Sequence, residues 1–100
     1  MPAPRRVEVR NVNHPGQVSR VLAEPYEAMA EAVLAVLEPG RPGLTYAELK
    51  ECVLPRLPDN LFPGGDKAGW WLKSVQLDLE AKGILAREAT RPLRFRRAGG

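Results

Sequence analysis

Apolar residues recur at helical spacing from Tyr26 to Leu37, and this pattern predicts a first helix that packs one face on the core. Pro25 suits the first helical position, with Glu24 before it at the positive end of the helix dipole. The pair Pro39-Gly40 ends the helix. This segment is therefore expected to form one side of a small helical core.

A second helix is predicted to start at Thr45, which is its N-cap, because Glu48 lies three residues later and completes a capping box. Leu44 and Leu49 flank the cap at the spacing of a hydrophobic staple. Pro55 brings the helix to an end after a few turns. A loop rich in proline, glycine and aspartate follows, and it is longer than the turn of a standard helix-turn-helix.

A third helix is predicted from Ala68 to Lys82, with Asp66 as its cap and Gly83 after its end. Two apolar faces appear when its residues are placed around the helix axis. The inner, core-facing side carries Trp71, Leu72, Val75 and Leu79. The outer side carries Trp70, Leu77 and Ala81, with Ser74 among them. A DNA-reading helix would present Arg, Lys, Asn or Gln there, so this outer face is instead a candidate interaction face.

Three explanations account for an apolar outer face on the third helix. The N-terminal arm folds over it, with Val7, Val9 and Val12 as the covering side chains. A second copy of the chain packs on it, or a different protein docks there. The sequence leaves all three open.

Alternation at period two predicts strands at both ends of the chain. Residues 7–10 and 18–22 flank a turn at His14-Pro15-Gly16 and form a strand or loose hairpin. Residues 84–88 and 93–97 form a second hairpin, in which Leu93 and Phe95 point inward and Arg94 and Arg96 point outward.

These elements together predict an α+β fold of winged helix-turn-helix type, with three helices, a C-terminal β-hairpin wing and an N-terminal strand or arm. The chain of 100 residues is long enough for one modest core. We expect residues 1–22 to form the arm or hairpin, residues 23–97 the winged-helix domain and residues 98–100 a tail.

Charge is distributed unevenly along the chain. The net charge is +3 for residues 1–22, −4 for residues 23–83 and +4 for residues 84–100. An anionic partner is therefore expected to meet the ends of the chain. The candidate nucleic-acid-binding residues are Arg87, Arg91, Arg94, Arg96, Arg97 and Lys73. A solvated edge strand kept soluble by its charges explains the same arginines.

The composition argues against several classes of function. One cysteine and one histidine leave no internal disulfide and no evident metal or cofactor site. Cys52 lies on the apolar stripe of the second helix and is expected in the core. His14 has no evident base or nucleophile beside it and is expected to be a turn residue, so we predict a non-catalytic protein. The apolar runs are too short for a membrane span, which favours a cytoplasmic protein.

Several segments resemble those of a known family. They are Asn11–Gly16, Tyr26–Met29, Leu61–Gly65, Gly69–Trp71 and Val75–Gly83. Together they are similar to a small bacterial family of domains of unknown function, and this resemblance implies no activity. The shorter run Leu79–Leu85, with the arginine after it, resembles the end of the third helix and the start of the wing in winged-helix transcription regulators.

Two functional hypotheses follow. In the first, the protein is a winged-helix module that binds DNA weakly and with little sequence preference through its basic wing. In the second, it is a protein-interaction or homodimerisation module that uses the outer face of the third helix.

Overall fold

The structure is a computed structural model that describes residues 4–14, 16–40 and 42–98. The fold is α+β, with three helices and two small antiparallel sheets. The helices are α1 (Ala23–Val36), α2 (Tyr46–Val53) and α3 (Ala68–Ala81), and single 3₁₀ turns occupy Leu54–Arg56 and Pro63–Gly65. The strands are β1 (Arg6–Arg10), β2 (Val18–Leu22), β3 (Leu44–Thr45), β4 (Leu85–Glu88) and β5 (Arg94–Arg97).

Both predicted hairpins form. β1 and β2 pair with each other alone, with Val7 opposite Val21. The second sheet has the order β3-β5-β4, because the short strand between α1 and α2 adds to the C-terminal hairpin. Leu44 of β3 lies opposite Phe95 of β5. The C-terminal hairpin is thus tied to the start of α2.

The core lies between the three helices and the inner face of the second sheet. Its fully buried side chains include Met29, Val33, Leu49, Leu72 and Phe95. The inner face predicted for α3 is confirmed, since Leu72, Val75 and Leu79 are buried and Trp71 packs against the same cluster.

The capping box at the start of α2 is confirmed. Thr45 Oγ1 accepts a hydrogen bond from the Glu48 N–H at 3.2 Å, and Glu48 Oε1 accepts one from the Thr45 N–H at 2.9 Å. The Thr45 backbone bond is the largest cause of a lowered pKa at Glu48. Local sequence was sufficient here because both partners lie within four consecutive residues.

The start of α1 differs from the prediction. The helix begins at Ala23, which places Pro25 at its third residue. The Ala23 N–H donates to the Arg5 carbonyl at 2.9 Å, so the ladder of the N-terminal hairpin runs directly into the helix. The first free N–H group of the helix is thereby satisfied by a strand, and no polar cap marks the start of α1 in the sequence.

Asp66 does not cap α3. The residue before the helix is Lys67 in the left-handed conformation, with φ of 59°, and its side chain makes no capping hydrogen bond. The end of α3 follows the prediction, because Gly83 has φ of 75° and the Ile84 N–H reaches back to the Leu79 carbonyl at 2.8 Å.

Two apolar residues predicted to be buried lie at the surface. Cys52 is exposed, because the buried stripe of α2 runs through Leu49 and Val53 and is too narrow to include it. Leu93 is exposed because the paired ladder begins only at Arg94.

Parts of the predicted terminal segments are not covered by the structure. Residues 1–3 of the predicted arm and residues 99 and 100 of the predicted tail lie outside the described residues, as does Pro15 of the predicted turn. Ala98 of the predicted tail donates its N–H to the Ile84 carbonyl at 2.8 Å, which extends the sheet contacts by one residue.

Gly43 holds the junction between the second sheet and α2. Its N–H donates to Glu88 Oε2 at 2.9 Å, and its carbonyl accepts from Arg94 Nη1 at 2.9 Å. Glu88 is itself buried. A side chain at position 43 would overlap the Phe95 carbonyl and lie 2.9 Å from Glu88 Oε2. Only glycine fits this position.

Replacing Gly43 with alanine is expected to lower the free energy of unfolding by about 1 to 3 kcal/mol, because the added methyl group forces β3 away from β5. Chemical denaturation of both proteins measures the difference. Gly40→Ala is the matched control, since a side chain there would meet nothing within 4 Å. Equal stabilities of the two variants would contradict the close approach at Gly43.

Candidate functional site

A buried carboxylate on α3 fixes the N-terminal hairpin against the helix. Asp78 is fully buried, and its Oδ1 accepts the Arg10 N–H of β1 at 2.7 Å. Its Oδ2 accepts the Tyr26 hydroxyl of α1 and Lys82 Nζ, the latter at 2.8 Å. One side chain thus joins α1, β1 and α3.

Tyr26 and Lys82 complete this cluster. Lys82 Nζ lies 5.7 Å from the centre of the Tyr26 ring, so it contacts both the ring and the carboxylate. Burial, and then the hydrogen bond to Asp78, raise the pKa of Tyr26 well above its usual range. The hydroxyl therefore stays protonated and remains a donor to Asp78.

The hairpin overhangs the outer face of α3 and leaves a groove of about 260 Å³ between them. Val9, Val21, Trp70 and Leu77 are its apolar lining residues, and Arg10, Asn11, Gln17, Ser19 and Ser74 are its polar ones. We call this the hairpin groove. The groove therefore brings apolar walls and polar side chains together at one surface.

Trp70 is the most exposed large apolar side chain among the described residues, with 57% of its surface accessible. Its ring meets the ring of Trp71 edge to face, with centroids 4.9 Å apart. Trp71 is half-buried against the core. The exposed indole is therefore held in place by a second indole that is anchored in the fold.

The predicted interaction face of α3 is partly covered by the hairpin. Leu77 is half-buried beneath it, whereas Trp70 and Ala81 stay exposed. Ala81 lies beside a second shallow depression, which Arg10, Asn11, Val12 and Gly16 also line. Of the three explanations for this face, folding of the arm accounts for Leu77 but leaves Trp70 uncovered.

Three of the predicted nucleic-acid-binding arginines are engaged in ion pairs within the protein. Arg87 pairs with Glu80 at 2.9 Å, Arg94 with Glu48 at 3.2 Å, and Arg96 with Glu88 at 3.5 Å. Arg94 and Arg96 are only partly exposed, so the outward orientation expected of them is found in part. Much of the positive charge on the C-terminal hairpin is thus neutralised locally.

The other predicted cations differ from these three. Lys73 Nζ donates to Gln76 Oε1 at 3.3 Å and lies over the Tyr46 ring. Arg91, in the turn, and Arg97, at the end of β5, are exposed and have no carboxylate within 4 Å in the described parts of the chain.

The family model described as Family of unknown function (DUF6958) matches residues 6–95. The chain belongs to this family. The match covers the N-terminal hairpin, all three helices and nearly all of the C-terminal hairpin, so the hairpin groove lies within it. Searches of curated proteins and of solved structures each find no match.

Sequence reasoning missed the residue that positions the groove in this DUF6958 chain. In the sequence, Asp78 is one of four charged residues in the predicted helix Ala68–Lys82, whose net charge is zero. A signal was present, since Asp78 lies three residues after Val75 and directly before Leu79, both on the inner face. A carboxylate at that helical position requires buried donors, but their identity depends on distant segments.

The described residues contain no group of three or more His, Cys, Asp or Glu side chains that could hold a metal ion. His14 is exposed in the turn of the N-terminal hairpin, where its backbone bonds to Asn11 and Gln17. No helix in the part of the chain that the structure describes is long and apolar enough to cross a membrane.

Replacing Tyr26 with phenylalanine is expected to lower the free energy of unfolding by about 1 to 3 kcal/mol at pH 7, because the Asp78 carboxylate loses a donor. Tyr46→Phe is the matched control and is expected to lose about 1 kcal/mol, since its hydroxyl donates to the neutral Gly69 carbonyl. Denaturant titration gives both values. Equal losses would contradict a special role for the Asp78 cluster.

The same variant also changes the pH dependence of stability. The folded protein keeps the Tyr26 proton to higher pH than the unfolded chain, where the pKa is about 10. The contribution of Tyr26 to the free energy of unfolding is therefore fully present below about pH 10 and is lost as the pH rises above that value. Tyr26→Phe is expected to make that alkaline fall shallower, and unfolding curves measured across this range test the slope. Part of the alkaline fall remains in this variant, because burial also raises the pKa of Tyr46.

Proposed function

We propose that this protein is a non-catalytic protein-interaction module with a winged-helix fold, and that the hairpin groove is its contact surface. The fold assignment is supported by the order of the elements. A short strand lies between the first two helices, and the C-terminal hairpin after α3 pairs with it in a three-stranded sheet. The N-terminal hairpin is an addition to that arrangement.

The observation that carries the functional proposal is the exposed indole of Trp70 at the edge of the groove. Exposed tryptophan is costly in water, and interface centres are enriched in it. The same groove has apolar walls formed by Val9, Val21 and Leu77. An indole held in place by Trp71, with apolar walls beside it, is the arrangement expected of an anchor for a partner side chain.

The placement of the hairpin favours a protein partner over DNA. In a DNA-reading winged helix the outer face of the third helix enters the major groove. Here the N-terminal hairpin lies over part of that face, and Leu77 is half-buried beneath it. The ion pairs of Arg87, Arg94 and Arg96 further reduce the positive charge available to phosphates.

Weak DNA binding is the second candidate function. It is favoured by the exposed arginines that lack a carboxylate partner among the described residues, namely Arg91 and Arg97 on the C-terminal hairpin and Arg6, Arg10 and Arg20 on the N-terminal hairpin. Such contacts would be to phosphates, with little sequence preference and strong dependence on salt.

Replacing Trp70 with alanine is expected to abolish partner binding while lowering the free energy of unfolding by no more than about 1.5 kcal/mol, because most of the indole is exposed and its main contact is the Trp71 ring. The wild-type protein and the variant are used as baits in extracts of the source cells, and the captured proteins are quantified by mass spectrometry. Proteins captured by the wild type should be lost from the variant. Arg91→Ala with Arg97→Ala is the control bait and should retain them.

Light scattering on the free protein accompanies that experiment. A monomer mass is expected, since the proposal assigns the groove to another protein. If the wild-type protein has the mass of a dimer and Trp70→Ala has the mass of a monomer, the partner in the groove is a second copy of the chain and not another protein. Capture profiles that do not change in the variant would reject the groove as a contact surface.

DNA binding is tested with a fluorescent duplex at low and at physiological salt. If the second candidate holds, binding is micromolar at low salt and weakens steeply as salt rises. Arg91→Ala with Arg97→Ala should then reduce the slope of log affinity against log salt by about two. Absence of binding at low salt would reject this function.

A further inference from the structure

The two edges of the N-terminal hairpin differ. In antiparallel pairs, opposite residues alternate between those that exchange hydrogen bonds and those that direct their N–H and C=O groups away from the partner strand. The bond from Ala23 N–H to the Arg5 carbonyl places that pair among the bonded ones. The Arg10 N–H donates to Asp78 on α3, so Arg10 faces away from β2. Both observations indicate that Arg5 belongs to a hydrogen-bonded pair and Arg10 to a pair whose backbone groups face outward.

The register then determines which groups of β2 point outward. Arg10 lies opposite Val18, Glu8 opposite Arg20, and Arg6 opposite Leu22. Val18 and Arg20 therefore direct both N–H and C=O away from β1, and Leu22 directs its N–H away. Among the described residues, none of these outward-directed groups has a hydrogen-bond partner. The edge of β1 is blocked by α3 at Arg10, whereas no element bonds to the edge of β2 in the described parts of the chain.

The side chains of β2 are also exposed along this edge. Val18 is 42% and Leu22 38% accessible, and Arg20 lies exposed between them. An unpaired edge of this kind can accept an extended segment, because main-chain hydrogen bonds supply affinity without any particular sequence. Natural proteins protect such edges with proline, bulges or charged side chains; residues 18–22 contain neither proline nor a bulge, and their one charge is Arg20.

The two faces of β2 specify the chemistry of the added strand. On the outer face, Arg6, Arg10 and Arg20 outnumber Glu8, so a carboxylate opposite Arg20 is favoured. Val18 and Leu22 on either side of Arg20 favour apolar neighbours for that carboxylate. On the inner face, Ser19 and Val21 line the hairpin groove, so the alternate side chains of the added strand would lie toward Trp70.

We propose that the open edge of β2 is a strand-addition site, and that its occupant is an extended acidic segment of another protein, with an Asp or Glu opposite Arg20 and apolar residues facing Trp70. This inference rests on the proposed function of the hairpin groove and names its partner. Backbone pairing along β2 supplies affinity, and the groove selects the side chains.

A second copy of the chain fits this edge less well. A two-fold symmetric pairing of β2 with itself, centred on Arg20, would place the two guanidinium groups directly opposite each other. Like charges at opposite positions of a strand pair are destabilising. Charge complementarity therefore favours a foreign acidic strand.

The test starts from the intact protein and a displayed library of random dodecapeptides. Enriched peptides are expected to alternate apolar and polar residues and to carry a central Asp or Glu. Each peptide is then synthesised in two forms, N-methylated at odd or at even positions. One form should bind at least about tenfold more weakly and the other with nearly unchanged affinity, because only alternate N–H groups pair with β2.

Two variants at position 20 distinguish the backbone contribution to peptide binding from the contribution of the Arg20 charge. Arg20→Pro removes a N–H that makes no bond to β1, a position where edge strands accept proline, and it should abolish peptide binding. Arg20→Gln keeps that N–H and should weaken binding several-fold through the lost charge alone. Thermal unfolding of both confirms the fold, and the N-methylated peptides remain decisive if Arg20→Pro is unstable.

The outcomes distinguish the two proposals. Peptides that require Trp70 but tolerate N-methylation at every position would overturn strand addition and leave the groove as a contact surface. Peptides that show alternate N-methyl sensitivity but bind Trp70→Ala unchanged would support strand addition and reject the groove. A helical or basic consensus, no enriched peptide, or a dimer that Arg20→Pro dissociates would overturn the acidic strand as occupant.

Discussion

The buried carboxylate of Asp78 is the interaction on which the arrangement of the N-terminal hairpin depends. Burial of an ionised carboxylate is strongly unfavourable unless donors surround it. Here the donors come from β1, α1 and α3, at Arg10, Tyr26 and Lys82. Since one of them is a backbone N–H of the hairpin, satisfying the charge also fixes the hairpin against α3. The hairpin groove follows from that placement.

The predictions made from sequence succeeded where a structure is determined by neighbouring residues. The capping box at Thr45 and the Gly83 end of α3 depend on residues a few positions apart, and both hairpins pair strands that are adjacent in the sequence; all are found. Asp66 failed as a cap because the left-handed Lys67 intervenes. Asp78 was missed for a different reason, since its donors at Arg10 and Tyr26 are distant in sequence and no local pattern identifies them.

The C-terminal hairpin illustrates the same limit for charge. Counting residues gives residues 84–100 a net charge of +4, which predicted a basic surface. The structure brings Glu80 and Glu48 from the helices to Arg87 and Arg94, and Glu88 to Arg96. The Glu88 carboxylate also accepts from the Gly43 N–H, so Arg94 and Arg96 belong to the junction of β3, α2 and the hairpin, whereas Arg87 ties the hairpin to α3. Net charge by segment therefore overstated what remains for a partner.

The asymmetry of the N-terminal hairpin follows from the Asp78 contact as well. By accepting the Arg10 N–H, Asp78 places α3 against the β1 edge at Arg10, and that end of the edge is no longer available for pairing. A two-stranded ribbon has only two edges, so with α3 bonded to β1 at Arg10, β2 offers the edge to which no helix bonds among the described residues. The groove is lined by the inner face of that same strand and by Trp70. Backbone donors and an aromatic anchor therefore lie side by side, and a single extended segment along β2 would contact both.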